Sequence, residues 1–266
     1  MSKQIVLGQY IPGDSLVHRL DPRVKILATL AYMISIFFID DFIFFIPVVL
    51  YILLVVSICK IKLSRLLKGL RPILMILIIT SLFNLFLTPG KIIFTLGPLE
   101  MTEEGLIKAI FIALRLTILL AGTSLMTMTT SPMELTQGLE KLFKPLKVIG
   151  FPVAELAMMI SISLRFIPTL FDESQKIMNA QKARGADFES GNIFSRAKSM
   201  VPLLVPLFIN SFKRADELST AMEARCYIPR GKRTKLNEIS MDKSDWTISL
   251  LLGLFFAFII SSKYIW

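Results

Sequence analysis

Five apolar runs separated by polar breaks constrain this chain more than any other feature: Val24 to Ile39, Phe42 to Cys59, Pro72 to Thr88, Gly105 to Met128 and Trp246 to Ser262. A helix needs about 20 apolar residues to cross the hydrocarbon core of a bilayer. Inside lipid it must also satisfy its own backbone, which selects helices over open strands. The runs therefore predict five transmembrane helices, the first of them short. Hydrophobic residues make up 54% of the chain and the mean hydropathy is +0.65, too apolar for a soluble globular domain. The expected fold is an all-α membrane protein.

Charge sets the orientation, because basic residues concentrate on the cytoplasmic side of membrane proteins. Lys3, Arg19, Arg23 and Lys25 precede or open the first run, and Lys60, Lys62, Arg65, Lys68 and Arg71 follow the second with no acidic residue among them. The alternate breaks, around Asp40-Asp41 and from Pro89 to Glu104, hold one base, Lys91, against Glu100, Glu103 and Glu104. The N-terminus is accordingly expected in the cytoplasm of a multi-pass cell-membrane protein, and five spans place the C-terminus outside. The net charge of +10 reports this topology and not nucleic-acid binding. Met1 to Arg23 lacks an apolar core, so no cleavable signal peptide is expected. Cys59 and Cys226 both fall on the cytoplasmic side, where a disulfide is not expected.

The division predicted is a lead-in with four spans (1–131), a cytoplasmic or interfacial domain of three helices (132–244) and a last span (245–266). The middle region carries seventeen Lys and Arg against twelve Asp and Glu, yet is rich in Leu, Met, Phe and Ile. Its first helix, Met133 to about Leu146, is amphipathic. A second run, Val153 to Ala183, is apolar in its first half, with Leu156, Met159, Ile162 and Phe166, and water-facing in its second, with Asp172, Glu173 and Lys176. Pro168 offers a bend where the character changes. After a polar break from Asp187 to Ser195, a third run repeats that order, with Leu204 and Phe208 in its apolar half. Treating the apolar halves as further spans would push Arg165, Lys176, Lys182, Arg184, Arg196 and Lys198 outside, against the charge rule. Helices along the membrane interface or beneath other subunits are expected instead.

Both runs end on one pattern, A-x-x-A-R. Ala180 and Ala183 precede Arg184, and Ala221 and Ala224 precede Arg225, forty-one residues later. An aromatic residue, Phe171 or Phe212, lies thirteen residues before each arginine. The two alanines of each pattern share a helix face and leave a shallow surface that a partner can approach.

Catalytic chemistry is missing from the sequence. It holds no P-loop, dinucleotide, zinc-helix or cysteine-cluster motif, and its spans hold no Asp or Glu of the kind that relay protons or cations. No enzyme, metal or cofactor is expected on this chain. Arg115, deep in the fourth run, is the one costly span residue. It would meet a partner subunit, the carbonyl end of a neighbouring helix, or an interface reached through a tilted span. Asn84 predicts an interhelical hydrogen bond, and His18, the lone histidine, a local one.

These residues resemble the transmembrane coupling subunit of energy-coupling factor (ECF) transporters, EcfT, and its cobalt-transporter relatives. The likeness rests on Gly8, Tyr10, Pro12-Gly13-Asp14-Ser15 and Arg19-Leu20-Asp21-Pro22-Arg23, and on Ala183-Arg184-Gly185 and Ala224-Arg225-Cys226, which match the two X-R-X signatures of that family. Cys226 departs from the glycine often found there, which puts the local cap in doubt. The resemblance implies an ATP-driven vitamin or micronutrient importer. Two cytoplasmic ABC-type ATPase subunits, which carry the ATP and Mg, would each receive one arginine tip with its flanking alanines. A separate membrane protein, the S component, would bind substrate and rest on the apolar halves at Leu156, Met159, Ile162, Phe166, Leu204 and Phe208. The rival reading is a self-contained channel or secondary carrier with a regulatory cytoplasmic domain. The transported substrate is not written in this chain.

Overall fold

The computed structural model describes residues 10–70, 73–96, 99–188, 192–228 and 241–265. Gly8, Arg71, Pro72, the basic loop 230–235 and Trp266 lie outside them. The described helices are α1 (Leu16–Arg19), α2 (Pro22–Phe37), α3 (Phe45–Cys59), α4 (Leu63–Leu70), α5 (Leu74–Leu87), α6 (Glu103–Thr129), α7 (Pro132–Phe143), α8 (Val153–Ala183), α9 (Ile193–Ala224) and α10 (Lys243–Ile265). The protein is an all-α membrane protein. Among the described residues, four helical segments are long and apolar enough to cross a membrane: Phe42–Cys59, Glu103–Thr129, Val153–Ala183 and Lys243–Ser261. A fifth is obtained if α4 and α5 form one bent span. The set differs from the sequence-based five in two places. The first predicted span, α2, is only 16 residues long, while α8 qualifies by length and composition.

The chain divides into two compact units, Val6–Gly138 with Ile239–Trp266, and Leu139–Glu238 with Met1–Ile5. The first unit runs past the boundary drawn from sequence, into the first turns of α7. Packing explains this: a Cβ on Gly138 would lie 2.9 Å from Pro22 Cβ, so α7 begins against the start of α2.

In the first unit the lead-in is tied down by local chemistry. Ser15 caps α1 by accepting from the His18 backbone N–H. The His18 ring lies 2.6 Å from the Ser15 hydroxyl through Nδ1, and its Nε2 donates to the Ile11 carbonyl at 3.1 Å; this is the local role expected of the lone histidine. Asp21 caps α2, accepting from the Arg23 N–H at 2.8 Å with Pro22 at the first helical position. An aspartate cap followed by proline is a favoured helix start, because proline at the first position lacks only an N–H that would have no intrahelical partner. The buried Asp21 also pairs with the Arg23 guanidinium at 2.9 Å. Its own backbone N–H donates to Asp245 Oδ1, and the other oxygen of Asp245 accepts from Asp242 N–H. One buried carboxylate thus joins the first turns of α2 and α10, 224 residues apart.

The core gathers Tyr32, Ile36 and Ile39 from α2 and its end, Val48, Ile52 and Val56 from α3, Ile118 and Leu125 from α6, and Phe256 and Ile259 from α10. The Tyr32 hydroxyl donates to the Ile118 carbonyl. Gly122 lets α6 approach that ring, since a Cβ there would lie 2.2 Å from Tyr32 Cε1. Asn84 departs from expectation: its amide donates to the Thr80 carbonyl of its own helix at 2.8 Å, an intrahelical bond. The break from Lys91 to Thr102 also departs, forming an antiparallel hairpin, β1 (Ile92–Leu96) and β2 (Leu99–Thr102). Thr102 then caps α6 through Gly105 N–H.

Arg115 takes one of its three expected roles. Its guanidinium donates to the carbonyl of Ile39, just past the C-terminus of α2, and stacks 4.7 Å from the Phe111 ring centroid. A cation here satisfies an orphan carbonyl and the negative helix end together. Arg115→Met should therefore lower stability by about 1–3 kcal/mol, the cost of leaving a buried acceptor unmade. Thermal unfolding in detergent reads the effect, and an unchanged midpoint would contradict the role.

The second unit holds the remainder of α7, a 3₁₀ turn at Lys144–Ile149 and the long helices α8 and α9. Ser131 and Glu134 form a reciprocal capping box at the start of α7, which gives way to the 3₁₀ turn at Pro145. Helix α8 spans the predicted run and continues through Pro168. Helix α9 starts at Ile193, inside the expected polar break, and continues through Pro202 and Pro206.

Candidate functional site

The ends of α8 and α9 are built alike, bond for bond. Arg184 is the C-cap of α8, and its N–H reaches the carbonyls of Ala180 at 3.2 Å and Gln181 at 3.1 Å. Gly185 N–H returns to Lys182 O at 3.0 Å, and Ala186 N–H to Gln181 O at 3.0 Å. At the end of α9, Arg225 N–H reaches Ala221 and Met222, Cys226 N–H returns to Glu223 O at 2.9 Å, and Tyr227 N–H to Met222 O at 3.0 Å. Each is a Schellman closure with arginine at the cap. Such a closure requires a left-handed residue next, and Gly185 has φ +88° while Cys226 has φ +56°.

Cys226 therefore keeps the cap that the sequence had put in doubt. A non-glycine residue there carries the left-handed penalty, on the order of 1 kcal/mol. Cys226→Gly should relieve about that amount and slow amide exchange at Tyr227, whose N–H closes the cap, while Cys226→Val should speed it. Equal exchange in both variants would mean that the closure does not set the end of this arm.

All eight residues assigned to the tips are exposed: Ala180, Ala183, Arg184, Gly185, Ala221, Ala224, Arg225 and Cys226. Among the described residues, neither arginine side chain has a hydrogen-bond or ion-pair partner. Two cationic forks thus stand clear of the other described residues, beside small alanines. Such a guanidinium suits bidentate capture of a carboxylate or carbonyl pair.

The apolar halves are also uncovered. Only Val153 and Ala157 are buried in α8, and no described residue of α9 is. Met159 is 52% exposed, Leu204 45% and Phe208 61%, with Ile160, Val205 and Ile209 about half exposed beside them, while Leu156, Ile162 and Phe166 are half-buried. Exposed large apolar side chains in this number mark contact with lipid or with another protein.

Sequence reasoning placed Glu173 among the water-facing residues, and the structure corrects that. Its side chain is 17% exposed, and one carboxylate oxygen accepts from Arg214 of α9 at 2.9 Å. The other accepts from the Asn210 amide. Beside this contact lies a groove of about 570 Å³, flanked by Phe166, Lys213, Glu217 and Leu218. One signal in the sequence marked the contact: residues 173 and 214 are 41 apart, the offset of the repeated tips.

Comparison with known proteins assigns this architecture. The family model for CbiQ, cobalt transport protein, matches residues 13–236. The energy-coupling factor transporter transmembrane protein EcfT of Thermosediminibacter oceani is 50% identical over 264 residues, 99% of this chain and all of the relative. The chain belongs to the EcfT family. The EcfT of Clostridium kluyveri is likewise 50% identical, over 100% of this chain and 99% of its own, and that of Bacillus subtilis 46% over 95% of each. Membership makes this protein the transmembrane component of an ECF transporter, a multi-pass membrane protein within a transporter complex. The resemblance drawn from the X-R-X pair and the Arg19–Arg23 segment is thereby borne out over nearly the full chain.

Proposed function

We propose that this EcfT-family subunit couples two cytoplasmic ABC-type ATPases to a substrate-binding S component in the uptake of a vitamin or other micronutrient. The observation that carries the proposal is the bond-for-bond match of the two arginine-capped ends: two like plugs on one chain call for two like sockets. ATP and Mg belong to the ATPases. Ala180, Ala183, Arg184 and Gly185 form one plug, and Ala221, Ala224, Arg225 and Cys226 the other. The apolar surface around Leu156, Met159, Ile162, Phe166, Leu204 and Phe208 supports the S component. The charge rule that favours a cytoplasmic N-terminus also favours laying the apolar half of α8 along the membrane face, despite its sufficient length to cross.

Affinity purification of the chain from its native membrane, with mass spectrometry of what comes along, tests the proposal. Two ATPase copies and one small integral membrane protein are expected. A chain that purifies alone, and that by itself carries solute flux in liposomes, would instead be a self-contained channel or carrier.

A further inference from the structure

The two arms meet at equivalent positions of their own repeat. Arg214 reaches Glu173 across a separation of 41 residues, and the same separation relates Arg225 to Arg184 and Phe212 to Phe171. When two like helices are related by an approximate two-fold, equivalent residues face one another only on the axis; elsewhere residue i meets a non-equivalent neighbour. A contact between the repeat-equivalent positions Glu173 and Arg214 is what a two-fold crossing at this point would give. The two positions carry opposite charge, as do three other repeat pairs of the polar halves, Asp172 and Lys213, Lys176 and Glu217, and Lys182 and Glu223. Identical residues at 173 and 214 would put two like charges in contact, and the opposite pair lets the contact close.

We propose that Glu173, Arg214 and Asn210 form a pivot clasp that fixes the angle between the arms. They are positioning residues for the coupling reading above, on which this inference rests. Eleven residues separate the clasp from each tip, Glu173 from Arg184 and Arg214 from Arg225. At 1.5 Å per residue both levers are about 16 Å long. Equal levers about one pivot turn a displacement of either tip into the same change of angle. The clasp also has the strength expected of a joint that must yield. Its side chains are 17% and 36% exposed, so the pair is partly desolvated without being locked in a dry core. The groove bounded by Phe166, Lys213, Glu217 and Leu218 leaves open space beside it.

Two measurements test this. The first uses the chain alone, spin-labelled at Asn179→Cys and Thr220→Cys in a Cys59→Ala, Cys226→Gly background. These label sites are exposed, repeat-equivalent and six residues beyond the clasp. The distance distribution should be narrow with the native clasp, broad with Arg214→Glu, and narrow again when Glu173→Arg is added to restore the opposite pair. Arg214→Gln should fall between, and stands in if Arg214→Glu does not fold. An unbroadened distribution in both Arg214 variants, or a swap that fails to narrow it, overturns the clasp. The second measurement uses the assembled transporter in liposomes. Arg214→Glu should cut uptake by about tenfold while ATP hydrolysis stays within about twofold, with at least half of the uptake regained by the swap. Broadened distances with normal uptake would leave the clasp standing and overturn its part in coupling. Loss of the ATPases from the complex on Arg214→Glu would overturn the assignment of docking to the tips alone.

Discussion

Replacing both Arg184 and Arg225 by alanine should abolish the proposed ATP-driven uptake without unfolding the chain. The second half of that expectation follows from geometry. Both side chains are exposed and unpaired among the described residues, and the Schellman closures that end their helices use backbone N–H groups, which alanine keeps. Stability should therefore change by no more than about 0.5 kcal/mol, as for ordinary surface substitutions. The first half follows from what a socket does to a guanidinium. Each plug contact, once desolvated against carboxylate or carbonyl groups, is worth on the order of 2–4 kcal/mol, and truncation leaves the socket's acceptors unpaired. At about 1.4 kcal/mol per tenfold, each tip should cost roughly thirty- to several-hundred-fold in docking. Lysine at either position restores the charge but not the fork, so partial rescue is expected. Uptake and ATPase co-purification, measured side by side, check the result.

The second large effect concerns the other surface. Met159→Glu or Phe208→Glu should detach the S component while both ATPases stay bound. These two positions are better probes than Leu156 or Ile162, because Met159 and Phe208 are 52% and 61% exposed in the chain alone. A carboxylate there stays solvated in the isolated subunit, so the fold is spared. In the complex it would be buried against apolar surface, at a cost of several kcal/mol unless it is protonated or displaced. Co-purification should show loss of the small membrane partner alone. Joint loss of the ATPases would mean that the substitution had deformed the arms and that this surface is not a separate contact.

Much of the fold was legible because lipid simplifies the code. Apolar runs, the Asp21-Pro22 helix start, the bounds of α8 and the glycine after Arg184 each rest on local chemistry that short stretches display. Arg115 was recognisable as costly, and a helix carbonyl end was among its possible partners. Choosing Ile39 required knowing which helices are neighbours. The hairpin at residues 92–102 was missed because its strands are short and lie beside strongly apolar helices. Asn84 was assigned across helices although an amide can equally bond one turn back along its own. Glu173 escaped because a single acidic residue on a polar helix half looks solvated. Only the 41-residue offset ties it to Arg214, and in the sequence that offset stands out at the tips and at Phe171 and Phe212, where the residue types match, and not at 173 and 214, where they differ. The two arginine-capped tips, by contrast, were visible as a repeat, and what structure added was their identical closure and exposure.

The most direct test of the account is the mass of the intact complex, measured by native mass spectrometry for the wild-type chain, for Arg184→Ala, for Arg225→Ala and for the double variant. Two ATPase subunits per chain are predicted for the wild type, reduced occupancy for either single variant and none for the double variant, with the S component retained throughout. A double variant that keeps both ATPases and transports normally would contradict the assignment of the two arginine tips.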